Sequence, residues 1–163
     1  MTNSVKQRAK KIKVVLTDVD GVLTDGGMYY TKEGDMMKKF HVRDGMGVTI
    51  LRKNGIPTII VTKEKNIIVK KWAQKMKIKK TFQGVLEKDK ILEIVCKNFK
   101  VDAKEVAYIG DDVNDVPLLK KVGFAATPKD GISLAKKNSH YICTCKGGEG
   151  ALREIAELIL LNK

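Results

Sequence analysis

The chain has 163 residues and a net charge of +13, from 32 Lys+Arg against 19 Asp+Glu, and 43% of it is hydrophobic. That length suits one domain with a full core, and no run of about 18 apolar residues offers a membrane span. The positive charge is nearly all lysine, spread along the sequence, with only 6% aromatic residues; this argues for a solvated surface rather than a nucleic-acid-binding face, and it leaves a field that attracts anions.

Met1 to Lys13 is polar and basic and lacks the apolar segment of a secretory signal, so a cytoplasmic location is expected. Residues 1–12 read as a frayed or helical lead-in. Lys13 to Asp18 is a first strand, β-branched in its middle and suited to burial. Asp25 to Val42 reads as a hairpin: Met28 to Thr31 and Met36 to Val42 flank the polar turn Lys32-Glu33-Gly34-Asp35. An isolated hairpin is marginal. With Met28, Tyr30, Met36 and Phe40 on it, this one needs a surface to pack on, and a neighbouring subunit is a candidate. Asp44-Gly45 is read as the cap of a helix from Met46 to Asn54, which Gly55 closes.

Pro57 to Thr62 is an apolar strand. Lys65 to Lys77 has helical spacing, with Ile68, Trp72 and Met76 on one face. Lys80 to Gln83 is a short strand, and Lys88 to Phe99 a helix with Ile91, Ile94 and Val95 inward. Val106 to Gly110 is a strand that ends in an acidic cluster. Asp115 to Lys120 is a short helix, Phe124 to Ala126 a strand, Asp130 to Lys136 a helix and His140 to Cys143 a strand. After the loop Gly147-Gly148-Glu149-Gly150, a closing helix runs from Ala151 to Leu161. Strands alternating with helices predict an α/β, doubly wound, mostly parallel sheet, Rossmann-like, with a hairpin insertion. Residues 1–163 read as a single domain. Cys96, Cys143 and Cys145 are odd in number, and Cys143-x-Cys145 has neither zinc nor redox spacing, so they read as reduced strand-end and core residues.

In such a sheet the ligand site lies beyond the carboxyl ends of the strands. Asp18, Asp20, Thr62 and Asp111 all fall there. Asp18 and Asp20, spaced i and i+2, share a face in a regular strand, and two such carboxylates are costly together unless a cation sits between them. A hard divalent ion such as Mg²⁺ suits their oxygens, and carboxylates so held can serve as nucleophile and acid/base.

Four segments occur in order: Asp18-x-Asp20-Gly21-Val22-x-Thr24; Thr62 after an apolar strand; Lys88; and Gly110-Asp111-Asp112-x-Asn114-Asp115. Together they resemble the motifs of the haloacid dehalogenase superfamily of phosphohydrolases. The resemblance implies that Asp18 is the nucleophile, forming an aspartyl-phosphate, and that Asp20 is the acid/base. It implies that Mg²⁺ is held by Asp18, the Asp20 backbone carbonyl and Asp111, while Lys88, Thr62 and Lys63 contact phosphate. Asp115 would orient Lys88, Asp112 would support the metal or a ligating water, and Asn114 would reach the substrate.

Neither gap between motifs has room for a cap domain. With Phe40-His41-Val42-Arg43-Asp44-Gly45 and Gly147-Gly148-x-Gly150-Ala-x-Arg153-Glu154, the chain looks like the capless phosphatases of eight- and nine-carbon 2-keto-3-deoxy sugar acids. That resemblance implies a homotetramer built through the 25–42 hairpin, with each site completed by a neighbour. It places Arg43, Asp44, Gly45, Glu64 and Lys75 on the substrate. Val42-Arg43-Asp44-Gly45 looks like the octulosonate 8-phosphate branch, which typically has Thr-Gly-Arg in the second motif. Thr62-Lys63-Glu64, with Lys75, is instead similar to the nononate 9-phosphate and sialic-acid branch, and it tips the expectation toward a nononate-type substrate. No nucleic-acid or membrane partner is expected. The competing reading is a non-catalytic oligomerisation module that partners an acylneuraminate-type cytidylyltransferase.

Overall fold

The computed structural model describes residues 2–163. Its strands are β1 (Val14–Thr17), β2 (Tyr29–Thr31), β3 (Gly34–Met37), β4 (Thr58–Val61), β5 (Lys80–Phe82), β6 (Val106–Ile109), β7 (Phe124–Thr127) and β8 (Tyr141–Ile142). Its helices are α1 (Asn3–Lys10), α2 (Val42–Lys53), α3 (Ile67–Lys75), α4 (Ile91–Phe99), α5 (Val116–Leu119), α6 (Ser133–Lys137) and α7 (Ala151–Leu160). Six strands form one sheet in the order β5-β4-β1-β6-β7-β8, with every pairing parallel. The antiparallel pair β2-β3 stands apart as a two-stranded sheet.

The four central strands β1, β4, β6 and β7 are buried along their whole length, as expected of strands covered on both faces. Alternate residues point to opposite layers. Val15, Ile60, Ala107 and Ile109 join the core under α2 and α7, with Val48, Leu51, Leu152 and Ile155. Val14, Leu16, Ile59, Val61 and Tyr108 join the other core, with Leu92, Val95 and Leu118 of α4 and α5. Asp18 extends the β1 ladder by one residue, its N–H donating to the Ile109 carbonyl at 2.9 Å.

Several sequence expectations shift. Helix α2 begins at Val42, not Met46: His41 is its N-cap, with Nδ1 accepting from the Arg43 N–H at 3.2 Å. Asp44 and Gly45 therefore lie inside the first turn. On α3 the buried positions are Val69 and Ala73, while Trp72 and Met76 pack at the margin. On α4, Ile94 is exposed and Leu92 is the inward residue. A 3-10 turn, Lys88–Lys90, leads directly into α4. Helix α6 starts at Ser133 rather than Asp130, because the Asp130 carboxylate is engaged by the Gly147 N–H at 2.9 Å.

Phe40 is not part of the exposed hairpin face. It stacks on Trp72, with ring centroids 4.6 Å apart and planes 9° from parallel. Met28, Tyr30, Met36 and Met37 of the hairpin stay exposed.

Candidate active site

β1 has β4 on one side and β6 on the other, so the chain departs in opposite directions at its carboxyl end and a crevice opens there. A cleft of about 130 Å³ lies at that point, lined by Asp18, Asp20, Thr62 and Asp111, with Lys63, Glu64, Asp112 and Asn114 around them. All eight are residues that the motifs single out.

Beneath the cleft is a buried charged array. Lys88 is 1% exposed; its Nζ lies 2.8 Å from Asp18 Oδ2 and 2.6 Å from Asp115 Oδ1. The Tyr108 hydroxyl also donates to Asp115 Oδ1. Asp115 Oδ2 accepts from the backbone N–H groups of Asp111 at 2.8 Å and Asp112 at 3.1 Å. Asp115 is therefore fully engaged. It closes the capping box of the Val113–Asp115 turn and holds the lysine ammonium against Asp18. Tyr108 carries no motif. Its signal in the sequence is a polar-tipped aromatic in an otherwise apolar strand, two residues before the Gly-Asp-Asp run.

Three carboxylates, on Asp18, Asp111 and Asp115, present oxygens all within 4.8 Å of one another, and a single buried ammonium faces them. The chemistry shows in the protonation equilibria. Burial, then the Asp115 charge, pushes Asp18 up to about 7 against the pull of Lys88. Burial, then the Asp18 charge, pushes Asp111 up to about 8. Burial pulls the Lys88 ammonium down, but Asp18 and Asp115 together outweigh it and leave it raised. Asp18 Oδ1 and Asp111 Oδ1 are buried without a hydrogen-bond partner among the described residues. Two orphaned carboxylate oxygens in a site short of positive charge are what a hard divalent cation satisfies, so the donor set fits such an ion. The glycine at position 21, at φ +83°, lets the Asp111 carboxylate approach; a Cβ there would overlap it.

Asp20 does not share the face of Asp18. β1 stops at Thr17, and the N–H groups of Val22, Leu23 and Thr24 all turn back to the Val19 carbonyl. That turn swings the Asp20 side chain toward the hairpin, where its Oδ1 accepts from Lys38 Nζ at 2.6 Å. Lys38 was not singled out by any motif, and only the folded hairpin brings it here.

Four other expected substrate residues lie outside this cleft. Asp44 is buried, and its two oxygens accept from the Gly150 and Arg153 N–H groups, each at 3.1 Å, capping the start of α7. The helix start at Val42 turns its side chain inward, away from the cleft. Burial pushes it up to about 6, against those backbone hydrogen bonds. Gly45 is also buried, and with Lys75 it lines a separate groove that includes Phe40, Trp72 and Met76. Arg43 is exposed at the start of α2.

A family model described as haloacid dehalogenase-like hydrolase matches residues 43–123. The 3-deoxy-D-manno-octulosonate 8-phosphate phosphatase of Yersinia pestis is 35% identical over 161 residues, which cover 99% of this chain and 86% of that protein. The chain belongs to the haloacid dehalogenase-like hydrolases. Among solved structures, the Moraxella catarrhalis 3-deoxy-D-manno-octulosonate 8-phosphate phosphatase, in complex with magnesium, phosphate and KDO, is similar at a TM-score of 0.96. It is 36% identical, with 100% of this chain and 94% of that one covered. The cobalt-bound Haemophilus influenzae phosphatase is similar at 0.93 and 36% identity, covering 96% and 91% of the two chains. This haloacid dehalogenase-like hydrolase is a phosphoric monoester hydrolase, alike over its whole length to enzymes of that class. Among the described residues there is no cap: only the hairpin separates β1 from α2, and only α3 and β5 lie between β4 and Lys88.

Proposed function

We propose that the protein hydrolyses the phosphate monoester of a 2-keto-3-deoxy sugar acid with Mg²⁺, and that 3-deoxy-D-manno-octulosonate 8-phosphate is its substrate. The observation that carries this reading is the buried Lys88–Asp18–Asp115 array opening into a cleft with Thr62 and Asp111. The whole-chain similarity to octulosonate phosphatases supports the choice of sugar.

In the proposed mechanism, Asp18, Asp111 and the Asp20 backbone carbonyl hold the Mg²⁺. When bound, it offsets the charge of the carboxylates and of the phosphoryl oxygens. A carboxylate oxygen of Asp18 attacks phosphorus; the P–O bond to the sugar breaks, and the departing oxygen takes a proton from Asp20. Asp20 then removes a proton from water as the water oxygen attacks phosphorus. The bond to Asp18 breaks, phosphate leaves, and both carboxyl groups return to their starting state. Lys88 keeps Asp18 aligned and, with Thr62 and Lys63, receives the phosphate. Arg43 and Lys75 serve the sugar acid from a neighbouring protomer of a homotetramer assembled through the exposed hairpin. Glu64 at the cleft rim favours a second reading, a nononate 9-phosphate, because a carboxylate there accepts sugar hydroxyls and repels a sugar carboxylate.

The test is phosphate release with Mg²⁺ on octulosonate 8-phosphate, nononate 9-phosphate, N-acetylneuraminate 9-phosphate and an aryl phosphate. Octulosonate 8-phosphate is expected to have the highest kcat/KM, and Asp18→Asn is expected to lose at least about a thousandfold of it with the fold retained. Preference for the nononate ester would give the substrate to the Glu64 reading. Release from none of them by the folded oligomer would favour a non-catalytic assembly module.

A further inference from the structure

We infer that Lys38, carried by the hairpin, is a positioning residue that fixes the orientation in which the Asp20 carboxyl group meets the leaving group. The inference rests on the phosphatase reading above and adds to it a residue that no motif supplies.

Hairpin lysines are ordinarily solvated, and the neighbours of Lys38 are. Lys32 and Lys39 are both exposed, pairing at 3.6 Å with Glu33 and Asp25. The Lys38 side chain is 6% exposed. Its Nζ lies 2.6 Å from Asp20 Oδ1 and 3.8 Å from Asp35 Oδ2. Burying a four-carbon ammonium costs both solvation and side-chain freedom, so this placement has to be held.

It is held from the far side. Asp35 Oδ2 accepts from Asn66 Nδ2 at 2.6 Å. Asn66 is itself fixed: its Oδ1 caps α3 through the Ile68 N–H at 2.7 Å, and its own N–H donates to Gln83 Oε1 at 2.8 Å. A chain of polar contacts thus runs from the segments that follow Thr62 and precede Lys88, through the hairpin, to Asp20.

An ammonium has donors only. Asp20 Oδ1, facing Lys38 and more distantly the Thr24 hydroxyl at 3.4 Å, must act as acceptor. Oδ2 accepts no hydrogen bond from the described residues. The Oδ1 contact therefore sets the carboxyl plane and leaves Oδ2 as the oxygen turned away from Lys38. In the ester-cleaving step Asp20, so oriented, gives a proton to the sugar oxygen as its bond to phosphorus breaks, and is left as the carboxylate paired with Lys38.

The experiment compares kcat/KM on the best sugar-acid phosphate of the panel with kcat/KM on 4-nitrophenyl phosphate. kcat/KM reports steps up to the first irreversible one, ester cleavage. An alkoxide needs a proton to leave, whereas 4-nitrophenolate does not. Lys38→Met is expected to lower the sugar-ester value about a hundredfold, the scale of general-acid assistance, and the aryl value by no more than about tenfold. The ratio is taken on one protein sample, so an unfolded fraction cancels. Lys38→Arg should restore the ratio, and Lys38→Met should not move it further in an Asp20→Asn background. Equal losses on both esters would reduce Lys38 to a hairpin clamp and overturn the inference, as would no loss on either. Failure of the unmodified protein to hydrolyse any ester would overturn the phosphatase reading and this inference with it, and it would be seen before any variant is made.

Discussion

Asp18, Asp111 and Asp115 crowd around one lysine, and the cost of that crowding is measurable apart from catalysis. A carboxyl raised in the folded protein holds a proton that the unfolded chain has already released. The folded state then binds more protons, and stability falls as pH rises. For Asp111 the window runs from the ordinary carboxylate value of 3.8 up to about 8, and for Asp18 up to about 7. In chelator, the melting temperature is expected to fall between about pH 5 and pH 8, and to fall less in Asp111→Asn, which removes one contributor. Mg²⁺ should raise the melting temperature more at the upper pH than at the lower, and Asp111→Asn should lose most of that gain. A wild-type melting curve that ignores both pH and Mg²⁺ over this range would contradict the proposed metal site. Asp18 and Asp111 were legible in the sequence because each follows the end of an apolar strand, whereas Lys88 and Asp115 were assigned only through the family resemblance. Lys38 and Tyr108 were not legible. Their roles depend on where the hairpin folds back and on which face of β6 meets Asp115, and neither is written in local spacing.

At the scale of elements, the hairpin divides into two surfaces with different consequences. Phe40, at its end, stacks on Trp72 and belongs to the core of its own chain. Met28 and Met36 are 71% and 66% exposed. Met28→Glu with Met36→Glu is expected to leave chain stability within about 0.5 kcal/mol, while solution mass drops to that of one protomer if the hairpin builds the homotetramer. Phe40→Ala is expected instead to destabilise the fold by roughly 1–3 kcal/mol, for a half-buried stacked ring. A tetramer that persists through the methionine substitutions would place the interface elsewhere. The sequence placed every strand of the sheet: β1 and β4 are apolar β-branched runs bounded by turns, which have few alternatives, whereas β5, Lys-Thr-Phe, is marked mainly by its place between two helices. It located helix starts less well. Asp44-Gly45 has the composition of a cap, but Asp44 caps α7 across the fold rather than its own helix, and only tertiary packing distinguishes the two.

Across the whole molecule, lysines stand on nearly every face, including Lys6 on α1, Lys70 and Lys71 on α3, Lys97 on α4 and Lys137 on α6, all exposed. They are densest on and around α3, with eight in residues 63–80, and the other twenty are distributed over the rest of the chain, so the field they make extends beyond any one groove. The substrates proposed here are phosphate esters that also carry a carboxylate. A net charge of +13 should raise their encounter rate without altering the bonds made in the cleft. kcat/KM is therefore expected to fall several-fold between about 0.02 M and about 0.3 M salt, as the screening length shrinks to a few ångströms, while kcat changes little. Substituting the exposed pair Lys70 and Lys71 by Glu should flatten that dependence, and replacing a single one should do so by about half as much, because a field adds over its sources. A parallel binding measurement on duplex DNA separates the other use of positive charge. Retention at about 0.15 M salt would mean that phosphate contacts on a polyanion, and not steering of a small one, are what the lysines serve. With twenty of the 28 lysines outside residues 63–80, release is predicted well below that concentration.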